Sequence, residues 1–104
     1  MKSSFLNSLF GLENKVVAVT GSNGQLGSAF CNYFKQVGAV VVGLDLQKSP
    51  NHKNIEAYYS LDVSDLLNVK DVFTKTFENH NGLDVLVNNA GVSTFEPFEE
   101  RPEE

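Results

Sequence analysis

The stretch that most limits how this chain can fold runs from Val16 to Gly27, where the apolar Val16-Val17-Ala18-Val19 passes through Thr20 into Gly21-Ser22-Asn23-Gly24-Gln25-Leu26-Gly27. A β-branched run followed by glycines at i, i+3 and i+6, and then by apolar residues at helical spacing, predicts a strand bending directly into a helix. Glycine lets the backbone take positive φ and approach a ligand with no Cβ in the way. The helix start beyond it offers unpaired amides and the positive end of a dipole, which suits a phosphate group.

A second run, Ala39-Val40-Val41-Val42-Gly43-Leu44, ends at Asp45, 18 residues after Gly27. In strand–glycine loop–helix units that bind dinucleotides, a carboxylate about 20 residues on hydrogen-bonds the adenosine ribose. Asp45 therefore favours NAD. The 2′-phosphate of NADP would meet a like charge there, and Lys48 is the only cation close by in the sequence. The alternative reading of Asp45 is a solvated acid that closes a strand.

Composition narrows the class. The 104 residues suffice for one modest domain, and 41% hydrophobic with 20% charged residues is ordinary for a globular chain. The formal net charge of −5, with no basic stripe, argues against a nucleic-acid surface. Cys31 is the single cysteine, so no intramolecular disulfide forms and a reducing, cytoplasmic setting is expected. No segment approaches the roughly 20 apolar residues of a membrane span. His52 and His80 fall in expected connections and read as solvated side chains without the clustered partners of a metal site.

Periodicity sets the order of elements. A strand is expected over about 15–20 and a helix over about 25–37, with Leu26, Phe30, Tyr33, Phe34 and Val37 at helical spacing and Gly38 in the C′ position. The next strand, about 40–45, is apolar without alternation, as in a parallel strand covered on both faces. Residues 46–54 are polar and contain Pro50, too short and polar for more than a turn. A third strand at about 56–61 leads to a helix capped by Ser64 and reaching about Asn79, with Leu66, Val69, Val72, Phe73 and Phe77 inward. A fourth strand covers 83–87. Strand–helix alternation predicts a parallel α/β sheet with right-handed crossovers and its two helices on opposite faces.

Directly after the fourth strand stand Asn88-Asn89-Ala90-Gly91. With Thr20-Gly21 through Gly27, Asp45 and Leu61-Asp62-Val63-Ser64, they resemble the N-terminal half of the short-chain dehydrogenase/reductase family over about residues 15–92. The resemblance implies an α/β, Rossmann-like parallel sheet with crossover helices, truncated after the fourth strand. Residues 1–14 then form a leader whose Phe5, Leu9 or Phe10 packs on the domain, and the acidic residues 93–104 begin a missing catalytic half.

It also implies roles. Gly21, Ser22, Asn23, Gly24, Gln25, Leu26 and Gly27 line the pyrophosphate, and Asp45 and Leu46 hold the adenosine ribose. Asp62 and Val63 flank the adenine. Asn89, Ala90 and Gly91 lie beside the nicotinamide-side ribose, with Asn88 tying strands together. Each has a plainer reading. Gly24 and Gly27 serve tight helix–strand packing, Asp62 is an acid leading into a helix, and the two asparagines satisfy loop backbone groups.

Two features depart from the family. Gln25 stands where relatives with Asn-Asn-Ala-Gly carry glycine, leaving Gly24 to make the turn. That spacing is more typical of the extended, sugar-nucleotide-modifying branch of reductases and epimerases, whereas the fourth-strand motif points to the short-chain branch. The family's catalytic Ser and Tyr-x-x-x-Lys are absent, since none of Tyr33, Tyr58 and Tyr59 has Lys four residues on. The expectation is an NAD-binding N-terminal part of an oxidoreductase that acts on an alcohol or ketone, inactive alone, with homo-oligomers common in the family. A non-catalytic dinucleotide-binding module or gene fragment, and a fragment of an extended-type sugar-nucleotide-modifying reductase or epimerase, are the alternatives.

Overall fold

The computed structural model describes residues 11–89. The leader and tail expectations, and Ala90 and Gly91, lie outside them.

Hydrophobic runs form the strands and amphipathic segments the helices, in the order β1 (Val16–Thr20), α1 (Gln25–Gln36), β2 (Val40–Asp45), β3 (Ala57–Ser60), α2 (Leu66–His80) and β4 (Val85–Val87). The four strands make one sheet in the order β3-β2-β1-β4, and every pairing is parallel. Val16 pairs with Val40 and Thr20 with Leu44, while Val17 to Val19 pair with Val85 to Val87. The chain first extends the sheet outward from β1 to β3 and then returns to the other side of β1. In open sheets with such a reversal, ligands bind outside the carboxyl ends of the strands.

Alternate residues of β1 and β2 feed two cores, which is why neither run alternates in polarity. Val16, Ala18, Val42, Leu44 and Leu61 pack with Val72 of α2 on one face. Val17, Val19 and Val41 pack with Cys31 of α1 on the other. The helices therefore cover opposite faces, as the alternation predicts. Full burial of each valine contributes about 1.5–3 kcal/mol of transfer free energy.

Helix ends follow local chemistry. At the end of α1, Gly38 takes φ +89 and its amide bonds the Lys35 carbonyl at 3.1 Å. In α2 the cap is Asp65, whose carboxylate accepts from the Asn68 amide at 3.2 Å, and not Ser64 as the sequence suggested. Ser64 instead donates from its amide and its hydroxyl to Asp62 Oδ1. Asn81 closes α2 in the left-handed conformation, φ +61.

The helix stripes are narrower than the spacing implied. Leu66 and Phe77, expected inward, are 79% and 52% exposed, because Val69, Val72 and Phe73 already make the contact with the sheet. On α1 the buried line runs through Gly27 and Cys31, with Phe30 and Phe34 beside it, so Leu26 and Tyr33 stand nearly half-exposed at its margin. Among the described residues no helix is long and apolar enough to cross a membrane.

Candidate dinucleotide site

The bend between β1 and α1 begins at Gly21, the one residue of the bend at positive φ, +67. Gly24, expected to carry the turn, has φ −77 and acts as the helix N-cap without a side-chain bond. The bend is closed by the Gly24 amide donating to the Gly21 carbonyl at 3.1 Å. Gly27 makes room for that carbonyl: a Cβ at 27 would lie 2.0 Å from Gly21 O and 3.0 Å from Asn89 Nδ2. For Gly27 the packing reading is thus the one the geometry displays.

Among the described residues no acceptor meets the backbone amides of Gln25, Leu26 and Gly27, and the first intrahelical bond runs from Ser28 N to Gly24 O. The first turn holds no acidic residue. Three free donors at the positive end of a helix dipole, approached across a surface of glycine, form an anion cradle.

Asp45 is bound to the same bend. Its Oδ2 accepts from the Asn23 amide at 2.8 Å and its Oδ1 from the Leu46 amide at 2.7 Å. A carboxylate has about four acceptor positions, so capacity is left for further donors from the cleft. That cleft, about 210 Å³, is lined by Thr20 and Gly21 from β1, Leu44, Asp45 and Leu46 from β2, and Leu61, Asp62 and Val63 following β3. Leu46 and Val63, 62% and 67% exposed, offer it apolar side chains. The two bonds from Ser64 lower the Asp62 pKa below its ordinary value, and the Asp62 amide donates to Asn68 Oδ1 at 2.6 Å.

The other predicted residues sit deeper. Ser22 is fully buried; its amide donates to Leu44 O, and its hydroxyl lies against Gly43 without a hydrogen-bond partner. Asn89 is 8% exposed, its amide donating to Thr20 Oγ1 at 2.8 Å and its side chain to Gly21 O at 3.4 Å. Thr20 in turn donates toward Val87 O and Asn88 Oδ1, at 3.4 and 3.3 Å, so Asn88 does tie β4 to β1. The structure thus places the bend, Asp45, Asp62 and Asn89 at the carboxyl ends of the four strands.

Asn23 is expected in the bend but its network is not, and Asn51, His52 and Asp84 have no expected part in the site. Asn23 holds residues 47–51 over the bend: its Nδ2 donates to Gln47 Oε1 and Ser49 O, both at 3.1 Å, with Tyr58 Oη more distant at 3.4 Å. Asn51 answers with its amide to Asn23 Oδ1 and its Nδ2 to Asn23 O. His52, read as solvated, lies 2.9 Å by Nε2 from Ser22 O; its Nδ1 accepts from the Asn54 amide, which makes Nε2 the donor. Asp84 accepts from the Val16 amide at 2.8 Å and pins the start of β1.

Comparison with known proteins gives the same picture. A family model described as short chain dehydrogenase matches residues 15–104. An uncharacterized oxidoreductase of Thermotoga maritima is 34% identical over 100 residues, covering 88% of this chain and 39% of that protein. An NAD-dependent glycerol dehydrogenase of Listeria innocua is 30% identical, covering 91% of this chain and 40% of its own length. A short chain dehydrogenase of Leptospira borgpetersenii, solved with bound NAD+, superposes with a TM-score of 0.69 at 30% identity, over 88% of this chain and 37% of that one. The chain thus spans between a third and two fifths of the length of these relatives.

Proposed function

The chain belongs to the short-chain dehydrogenase family, and from that premise we propose that residues 15–92 are the dinucleotide-binding part of an oxidoreductase that exchanges hydride between a nicotinamide cofactor and an alcohol or ketone. The observation that carries this reading is the pairing of three free amides at the start of α1 with Asp45 on the same bend. The residues present fit the cofactor, since an anion cradle, a carboxylate with spare acceptor capacity and a cleft with apolar walls adjoin at the carboxyl ends of the strands.

In this reading the amides of Gln25, Leu26 and Gly27 hold the pyrophosphate, with Gly21 and Gly24 keeping the surface open. Ser22 and Asn23 support the bend from beneath and from the side. Asp45 and Leu46 take the adenosine ribose, and Asp62 and Val63 the adenine. Asn89, with Ala90 and Gly91, belongs to the nicotinamide-side ribose. The carboxylate of Asp45 favours NAD over NADP, because a 2′-phosphate would meet a like charge there and no arginine lies in the bend or just after Asp45, Lys48 being the one cation close by in the sequence.

The bound nicotinamide supplies the hydride acceptor or donor. This chain's residues bind and orient it. The proton-transfer groups belong to the part of the relatives that the chain does not span. Residues 1–14 are proposed as a leader and 93–104 as the start of the catalytic half, and the single buried thiol fits a cytoplasmic setting.

Titration calorimetry of the chain with NAD tests the reading. Saturable binding is expected for the native sequence and none for Gly21→Val, whose branched side chain opposes the positive φ. A cooperatively melting chain that takes up no NAD would remove the proposal.

A further inference from the structure

The network around Asn23 does more than tidy a loop. Asn23 sits 22 residues before Asp45 and gives that carboxylate its backbone amide, while its side chain grips residues 47–51. Tyr58 of β3 joins from the far side, donating to Gln47 O at 2.6 Å. Ser60 adds a bond to Leu46 O at 3.1 Å. The side-chain donors that meet in this network are therefore largely spent on the protein: both hydrogens of Asn23 Nδ2, the Tyr58 and Ser60 hydroxyls, and one of the two hydrogens of Asn51 Nδ2. A phosphate monoester needs such donors or a cation. Lys48, the cation of this segment, hangs from backbone held on either side by Asn23, Asn51 and Tyr58.

We propose that Asn23 is a positioning and specificity residue: it latches residues 47–51 to the glycine bend, so that Asp45 keeps its free acceptor positions toward a ribose diol while the donors a 2′-phosphate would need stay engaged elsewhere. Discrimination between the two dinucleotides is then shared between the charge of Asp45 and the latch. The inference rests on the cofactor reading above. Burial first, and the negative charge of Asp45 next, push the Tyr58 phenol above its ordinary pKa, with the Asn23 bond opposing, as expected of three groups packed together.

Calorimetry of the 104-residue chain against NAD and NADP in parallel tests it. Asn23→Ala keeps the backbone bond to Asp45 but removes the neutral side-chain bonds of the latch. It is expected to weaken NAD by about tenfold, the worth of one or two such bonds, while NADP weakens less or strengthens, so the NAD-to-NADP preference contracts. Tyr58→Phe keeps the ring and removes the Gln47 bond; it is expected to contract the preference in the same direction, and it decides the matter if Asn23→Ala does not melt cooperatively. Equal weakening of both dinucleotides marks a merely structural role and overturns the latch, as does an unchanged preference in both variants. A folded native chain that binds neither dinucleotide removes the cofactor reading, and the latch with it, an outcome distinct from the others.

Discussion

The carbonyl oxygen of Gly21 occupies the place where a side chain at residue 27 would begin, 2.0 Å from an ideal Cβ. Backbone fills that space, so neither partner has a flexible end to move aside. Gly27→Ala is expected to destabilise the domain by about 1–3 kcal/mol, the usual cost of overpacking, and to lower its melting temperature by several degrees. Gly24→Ala serves as the contrast. Its Cβ would meet Gly21 O at an ordinary 3.5 Å and its φ is unremarkable, so a thermal melt should barely change.

Asp45→Ala removes the acceptor of two backbone amides as well as the proposed ribose contact. A loss of NAD affinity of tenfold or more is expected, since bonds to a charged acceptor are worth about 1.5–3 kcal/mol. Asp45→Asn retains an acceptor oxygen and should fall between the two. Calorimetry ranks the three chains, and an unchanged affinity for Asp45→Ala would detach this residue from the cofactor.

Thr20→Val should cost about 0.5–1.5 kcal/mol, because the near-isosteric methyl removes the shorter of the two acceptors of the buried Asn89 amide and leaves it only the Val87 carbonyl at 3.1 Å. The loss is expected as a shift in denaturation midpoint and as faster amide exchange at Asn89. Protection that survives the substitution would show that the link between β1 and β4 lies elsewhere.

Stability should decline in alkali. Burial raises the Cys31 thiol from 9.0 to about 11, so between those values the unfolded chain has lost its proton and the folded one has not. Folding then binds more protons, and stability falls as pH rises across that window. Tyr58 acts in the same sense from a higher starting point. Denaturant melts at pH 8 and 10.5 should show the decline, and Cys31→Ala should reduce it. The same burial predicts that disulfide-exchange reagents label Cys31 only after unfolding.

Asp62 titrates in the opposite sense. Its bonds from Ser64 hold it below the usual carboxylate value, so that contribution is present above the unfolded pKa and fades as pH falls through the folded one. Ser64→Ala removes the hydroxyl bond and keeps the backbone one, so the Asp62 titration should move part of the way back toward the ordinary range, as followed by carbon-detected nuclear magnetic resonance.

What could be read in the sequence was whatever depended on neighbours in the chain. β2 lies where its unbroken valine run placed it, and α1 starts at Gln25 because the glycines leave little choice. The cap of α2 was misplaced by one residue because Ser64 and Asp65 are both able acceptors, and only the bonds of Ser64 to Asp62 decide between them. The network of Asn23 was invisible for a different reason. Its partners lie 22 to 35 residues away, and a polar connection such as 46–54 carries no periodicity to say which side chains will meet. His52 was misread for the same cause, since an acceptor 30 residues distant has no local signature.

The sealed hydroxyl of Ser22 means that the bend is not tuned for robustness alone. An oxygen shut away from water against Gly43 withholds solvation and receives nothing in return. An engineer seeking a hardier version of this fold has one atom to discard there, and alanine at that position would leave the rim facing the cleft untouched.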